Sequence, residues 1–471
     1  SALPPPRLAA RLQIRGDVRG NPMDGLEQLS GRVFAELDYA DLAGWRAWID
    51  YPVRLEQGRG ALRVWGDWTK GKGGAVADVA LEDVRIQFGR DLPQLDLASM
   101  RGRLQGKYVR EAWQFGGRQI ELSTLSGIRV PPTDFEFSWR QISAGREGGN
   151  IAGTARANFV DLHALQQLAA YLPLDARSRE LLKTHQPQGR IIDLRASWQV
   201  EGEQVQDYEL QARFEELGMQ AAGYFPGRSG LSGEVKANER GGTLTLQSKA
   251  CSLDLPFVFP EPTIALSELR GKANWRIHGD VLDTRLERLE FSGPDATGTA
   301  QGSYRYDGKG PGVVDLTAAL TRGDGRSVWR YMPHVVHSDV REWLKHGITG
   351  GTASEAKLRL KGDLRYFPFE DKSKGEFLIT AKAHGAEIDY GPGWPKISGI
   401  DADLSFGSGM QINARTGTIL GAAVGPVSAR IPSFSAAEEE LLIEGRAAGP
   451  TAEFLRFIEA SPLPQSLKSR T

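Results

Sequence analysis

The stretch "AKLRLKG", residues 356–362, decides how this chain folds. Leu358 and Leu360 alternate with lysine and arginine, and successive side chains of a β-strand point to opposite faces of a sheet. This pattern is typical of an antiparallel strand with one apolar face and one wet face. The same alternation recurs through most of the 471 residues, in runs separated by Gly, Asp, Asn or Pro. We therefore predict a mainly β protein built as an antiparallel meander.

The composition excludes several classes of protein. The 58 basic and 59 acidic side chains nearly cancel, so no net field draws the chain toward nucleic acid. Cys251 is the single cysteine, which excludes an internal disulfide and a cysteine-based metal cluster. No run approaches the roughly 18 consecutive apolar residues that a membrane-spanning helix requires. We expect no nucleic-acid partner, no metal and no cofactor.

Short amphipathic runs that end at a proline interrupt the strands, because proline lacks the N–H that the next helical turn needs. They begin at Ala40, Val160, Gly325 and Pro450. Similar strand patterns follow the first three of them, which indicates a repeating unit. The predicted units are 1–155 with a short helix near 41–50, 156–322 with a helical segment at 160–186, 323–448 with a helical segment at 326–347, and 449–471 as the helical start of a further unit that continues beyond Thr471.

One helical stretch, residues 331–351, contains a candidate metal site. His334 and His337 are three residues apart with Asp339 close behind, a spacing at which a helix can present ligands to one ion. The corresponding segment of the preceding unit, residues 174–177, has no histidine. An apolar stripe on the same run instead favours a helix packed against the sheet.

No catalytic motif is recognisable in the sequence. "GDWTKGKG", residues 66–73, approaches a phosphate-binding loop but has Gly73 where the hydroxyl ligand belongs, and the sequence after it predicts a strand. A hairpin turn is the favoured interpretation. A carboxylate pair of the glycosidase type could be assembled from many acidic residues, so a hydrolase remains an alternative on sequence alone.

A meander of this length has to cover its apolar face. It could close into sandwiches, coil as a solenoid, or curl into an elongated open groove that leaves the face for an apolar ligand. Acyl chains suit such a groove, because exposing one CH₂ to water costs about 0.8 kcal/mol. The alternative for each apolar residue is an ordinary core position under a helix or a facing sheet. The predicted lining residues are Val84, Ile86, Phe88, Leu244, Leu246, Leu316, Leu358, Leu360, Leu404 and Phe406.

Four pieces of residues 331–464 occur in a distinctive order and spacing. The pieces are "WLKHGITGG" at the end of the helix, "LRLKGDLRYFPF" at 358–369, the Trp394-Pro395 corner followed by "GIDADLSF", and "IPSFSAAEEELLIEG" at 431–445. By these pieces, residues 331–464 resemble the YhdP family of AsmA-like bacterial proteins, and the first three hundred residues follow the same plan with looser motifs.

The resemblance implies a periplasmic protein anchored in the bacterial inner membrane by a segment absent from this sequence. It implies transport of phospholipid toward the outer membrane along a β-groove, with membranes met only at the ends of the full-length protein, and no enzyme activity. The competing interpretation is a closed β-rich periplasmic scaffold or glycan-binding module. For the groove, we expect Leu360→Asp to impair lipid transfer and Arg359→Asp, on the opposite face, to be tolerated.

Overall fold

The structure, a computed structural model, is mainly β, which confirms the predicted fold class. It describes residues 12–20, 29–47, 53–69, 72–143, 150–202, 204–223, 225–434 and 440–464. The strands are β1 Leu12–Arg19, β2 Ser30–Asp41, β3 Arg54–Thr69, β4 Lys72–Gln87, β5 Leu95–Val109, β6 Ala112–Thr124, β7 Arg129–Ser143, β8 Asn150–Asp161, β9 Gln188–Glu201, β10 Gln204–Met219, β11 Gly227–Asn238, β12 Gly241–Asp254, β13 Thr263–His278, β14 Val281–Ser292, β15 Ala296–Tyr306, β16 Val313–Asp324, β17 Ile348–Asp363, β18 Gly375–Ile388, β19 Ile397–Phe406, β20 Met410–Ile419, β21 Ala422–Ile431 and β22 Leu442–Ala448.

These strands belong to one antiparallel sheet in which neighbours along the chain pair with each other, from β1 to β10 and from β12 to β22. In the described part of the chain, β1 pairs with β2 alone and β22 with β21 alone, so the sheet is open. The chain divides into two units, 1–222 with 232–239, and 223–231 with 240–471. The boundaries of the predicted repeats stay a prediction.

The α-helices follow even-numbered strands, so within each unit they lie at the same end of the meander. We call this the helical end, and the opposite end, where most connections are short turns, the hairpin end. The helices are α1 Leu162–Leu168, α2 Ala176–His185, α3 Ser338–Gly347 and α4 Thr451–Glu459, with 3-10 turns at Gly44–Ala47, Gly325–Tyr331 and Leu364–Tyr366. The predicted helical segments at 160–186 and 326–347 contain α1, α2 and α3, and α4 lies in the predicted segment 449–471. Residues 48–50 and 465–471 lie outside the described residues.

Aspartates fix where several of these helices begin. Asp161 accepts a hydrogen bond from the backbone N–H of Ala164 at 2.8 Å, and Asp175 accepts one from Ser178 at 2.8 Å. Each bond satisfies a backbone donor that has no partner within the helix. At the other end of α2, Gln186 adopts a left-handed conformation with φ 42°, which ends the helix.

A polar cluster attaches the 3-10 turn Gly325–Tyr331 to the sheet. The Asp295 carboxylate accepts hydrogen bonds from the Ser327 hydroxyl at 2.9 Å, the Arg330 guanidinium at 2.8 Å and the Tyr331 hydroxyl at 2.8 Å. Burial, together with the hydrogen bond to Asp295, raises the pKa of Tyr331 to about 12, so this hydroxyl keeps its proton. The cluster holds the helical segment in a fixed position in the second unit.

Candidate functional site: the apolar face of the sheet

Two rows of apolar side chains cross the second unit on one face of its sheet. Residues directly opposite each other in paired strands share a face, so the register defines each row. Leu316 lies opposite Leu360, and Leu360 lies opposite Phe377. We call these the apolar rows, and none of their members is charged. The first comprises Leu244, Ala273, Leu286, Gly302, Leu316, Leu360 and Phe377, and the second Leu246, Gly271, Leu289, Ala300, Ala318, Leu358, Ile379, Phe406, Met410 and Ile431.

The large side chains of the apolar rows, Leu360 among them, are half-buried. From β12 to β18 the first row crosses seven strands, which at about 4.8 Å between neighbours gives a path of roughly 29 Å. The hydrocarbon core of a bilayer is about 30 Å thick and holds two layers of acyl chains. One row is therefore long enough to lie against an extended acyl chain.

The opposite face of the second unit is polar and carries cross-strand ion pairs. Arg359 pairs with Asp315, and Lys272 pairs with Glu287 at 3.3 Å between the ammonium and the carboxylate. The hydrogen bond from the Arg359 guanidinium holds the pKa of Asp315 below its usual value. The two faces of the unit therefore differ in chemistry.

The structure brings together seven of the ten residues predicted to line a groove. Six lie in the apolar rows, and Leu404 lies in the next row of the same face, opposite Ile412. The six are Leu244, Leu246, Leu316, Leu358, Leu360 and Phe406.

The other three predicted residues, Val84, Ile86 and Phe88, lie in a packed cluster of the first unit. Val84 is 3% exposed, and Leu168 and Tyr171 from the helical end pack against the cluster. The buried members are Leu55, Val84, Leu95 and Leu97. Asp83 has a left-handed backbone with φ 51°, which keeps Leu81 and Val84 in the same cluster although they are three residues apart. These surroundings are the ones expected of a core position under a helix. That the three residues line a groove stays a prediction.

The sequence prediction did not include the tryptophans and tyrosines of the first unit. Its apolar face carries a row that we call the aromatic row: Trp68, Tyr108, Trp113, Trp139, Trp198 and Tyr208, with Gly31, Gly73 and Gly153 between them. The alternation of Trp113 with Phe115, and of Phe137 with Trp139, was the signal that could have found them.

The histidines of the candidate metal site have structural partners. The Nε2 atom of His334 lies 2.9 Å from the carbonyl oxygen of Pro256. The Nδ1 atom of His337 accepts a hydrogen bond from the backbone N–H of Asp339 at 3.3 Å, where α3 begins. Among the described residues, no group of three or more His, Cys, Asp or Glu side chains is arranged to hold a metal ion.

The near-match to a phosphate-binding loop at residues 66–73 spans a hairpin. Trp68 in β3 lies opposite Gly73 in β4, and β4 continues as a strand to Gln87. A phosphate-binding loop would instead lead into a helix whose N-terminus holds the phosphate.

No helix in the described ranges has both the length and the apolar composition to cross a membrane.

The sequence profile of the YhdP protein family matches residues 1–471. The chain belongs to the YhdP family. It is 24% identical, over 481 aligned positions, to the intermembrane phospholipid transporter YhdP of Escherichia coli (strain K12), and the match covers 97% of this chain. The chain spans about a third (36%) of the length of that YhdP relative. No solved structure matches the chain significantly.

Proposed function

We propose that this chain is a segment of a periplasmic, bridge-like phospholipid transporter whose apolar face shields acyl chains while the headgroup stays in water. The apolar rows, which carry no charge, support the proposal. Membership of the YhdP family and similarity to the intermembrane phospholipid transporter of Escherichia coli support it independently. The full-length protein would be anchored in the inner membrane and would deliver phospholipid toward the outer membrane. The segment needs no catalytic residue, metal or cofactor for this role.

The observation that carries the proposal is the area of surface left accessible. The accessible surface is 29696 Å² for a chain of 51.5 kDa. A compact monomer of this mass exposes roughly 17,000 Å². Apolar rows such as that of Leu360, whose large side chains are half-buried rather than buried, belong to this accessible surface. A sheet with one face of this kind has apolar surface to offer a ligand.

The energetics favour an acyl chain as that ligand. Leaving a sixteen-carbon chain in water costs on the order of 10 kcal/mol at about 0.8 kcal/mol per CH₂. Contact with an apolar row removes most of this cost at every position along the row. A charged side chain in the row would make binding of the acyl chain less favourable at that position, because removing an unpaired charge from water costs free energy.

The test compares one charge on each face of β17. We expect the chain purified without detergent to retain phospholipid in native mass spectrometry, and Leu360→Asp to retain at least about tenfold less. The matched control is Lys357→Asp rather than Arg359→Asp, because Arg359 pairs with Asp315 and its loss would leave a carboxylate unpaired. Lys357 is exposed, lies on the polar face and stands opposite Thr380, so its substitution should leave retention unchanged.

Two results would contradict the proposal. One is a purified chain without phospholipid, which is the result expected of a closed scaffold or a glycan-binding module. The other is equal retention by the Leu360→Asp and Lys357→Asp variants, since a lipid on the apolar face should sense only the first.

A further inference from the structure

The aromatic row lies close to the hairpin end of the first unit. Tyr108 and Trp113 are opposite each other, one pair inside the turn that joins β5 to β6. Trp198 and Tyr208 pair in the same way near the turn between β9 and β10. At the opposite, helical end of this unit, the cluster around Val84 is covered. The apolar face of the first unit is therefore closed at one end and bordered by aromatic rings at the other.

The rings of the aromatic row are partly in contact with one another and partly open to water. Trp113 and Trp139 stack with their ring centroids 6.2 Å apart, and Tyr108 lies 4.7 Å from Trp113. Trp113 is 50% exposed and Trp139 is 37% exposed. Within the ranges that the structure describes, neither indole N–H has an acceptor in the protein. Both donors are available to a ligand.

Glycines in the same row fix where the rings lie. A Cβ atom added to Gly153 would stand 2.4 Å from the ring of Trp198, and one added to Gly31 would stand 2.6 Å from the ring of Trp68. Each ring thus lies directly over the backbone of the neighbouring strand, in space that any other residue would fill. Rings held in this way lose little freedom when a ligand binds.

We infer that the aromatic row holds the glycerol ester region of a diacyl phospholipid, so that headgroups leave the face at the hairpin end. Tryptophan and tyrosine favour positions where an apolar region meets water, because the ring is apolar and the N–H or O–H is not. The ester carbonyls mark that boundary in a phospholipid, and they accept the hydrogen bonds that the indole N–H groups donate. The acyl chains then lie toward the middle of the face, on residues such as Phe115 and Phe137. This inference rests on the proposed function.

The experiment compares two lipids that differ only in their carbonyl groups: dihexadecanoyl phosphatidylcholine and its dihexadecyl ether analogue. Each displaces a fluorescent phospholipid from the full 471-residue chain. We expect the ester lipid to bind about three- to tenfold more tightly, the effect of one or two net hydrogen bonds. The double variant Trp113→Phe/Trp139→Phe keeps an aromatic ring at each position and removes both N–H donors. Loss of ring area affects the two lipids alike, so the ratio of ester to ether affinity should fall to about one.

A matched control lies on the opposite face. Trp65→Phe removes an indole N–H from a ring that is 39% exposed and packs against Phe34 on the polar face of β3, and it should keep the ester preference. A far-ultraviolet circular dichroism spectrum and a Tm like those of the wild-type chain show that the double variant is folded. Equal affinity of the wild-type chain for both lipids, or a preference that survives in the double variant, overturns the role of the aromatic row and leaves the proposed function standing. Failure of the wild-type chain to bind either lipid overturns both.

Discussion

The cluster around Val84 and the row around Leu360 have the same sequence pattern and different surroundings. Both residues lie in strands that alternate apolar and polar side chains. Val84 is 3% exposed, with Leu168 and Tyr171 packed against its cluster. Leu360 is half-buried, between Leu316 and Phe377 of its own sheet. Alternation therefore specifies which face is apolar, and the connections specify which part of that face is covered.

The helical segment that covers the cluster around Val84 is positioned by residues of its own. Asp161 begins α1 immediately after β8, which directs Leu168 back toward the sheet. The covered end stabilises the fold because its four buried side chains are almost entirely removed from water, at about 25 cal/mol per Å² of apolar surface. The uncovered rows contribute less to stability and remain available for binding.

The largest difference should come from a charge placed in each region. We expect Val84→Asp to lower the free energy of unfolding by on the order of 4 kcal/mol, because the cluster offers the carboxylate neither water nor a partner. Leu360→Asp should cost much less, since a half-buried side chain at this position can reach water. Urea unfolding followed by circular dichroism measures both values. Equal losses of stability would show that the Leu360 row is a closed core.

A smaller effect should come from a methyl group added to the open face of the first unit. Gly153→Ala would place Cβ 2.4 Å from the ring of Trp198, and such overpacking costs about 1–3 kcal/mol. The near-ultraviolet circular dichroism of tryptophan should change with it. Gly106→Ala is the control, because no atom lies within 4 Å of its added Cβ. A stability loss in the Gly106 variant would mean that the face is covered there.

The smallest effect on stability should come from lowering the pH, which protonates a carboxylate of the polar face. The Arg359 guanidinium holds the pKa of Asp315 below its usual value of about 3.9. The unfolded chain therefore binds this proton first, and the stabilisation present above about pH 4 is lost as the pH falls through the folded-state pKa. Because the pair is partly exposed and water screens it, we expect Arg359→Gln to reduce the fall in Tm between pH 5 and pH 3 by less than about 2 °C. A larger reduction would mean that the polar face contributes more to stability than exposed pairs ordinarily do.

The sequence was sufficient to predict the fold class because the relevant signal is local. Lys357, Leu358 and Arg359 specify their two faces without reference to any distant residue. Consecutive strands joined by short turns pair with each other, so the meander followed from the same pattern. The proline-ended runs also marked helical positions, such as the one at Val160 that precedes α1.

The surroundings of individual residues depend on contacts far apart in the chain. Tyr171 contacts the cluster of Val84 from more than eighty residues away, and nothing in the "DVRIQF" pattern records that contact. The aromatic row also depends on register, because Trp198 meets Gly153 only through the pairing of β8 with β9. The sequence prediction selected apolar residues, most of them aliphatic, by their alternation. It left out the tryptophans and tyrosines, which form one row near the hairpin end only through the register of the strands.

The consecutive pairing of strands constrains how such a protein can change in length during evolution. An inserted hairpin adds two strands, which leaves every later helix at its original end of the meander and every later leucine on its original face. A single inserted strand would move all following helices to the other end. Insertion of whole hairpins therefore changes the number of strands in the sheet without requiring substitutions among the existing residues.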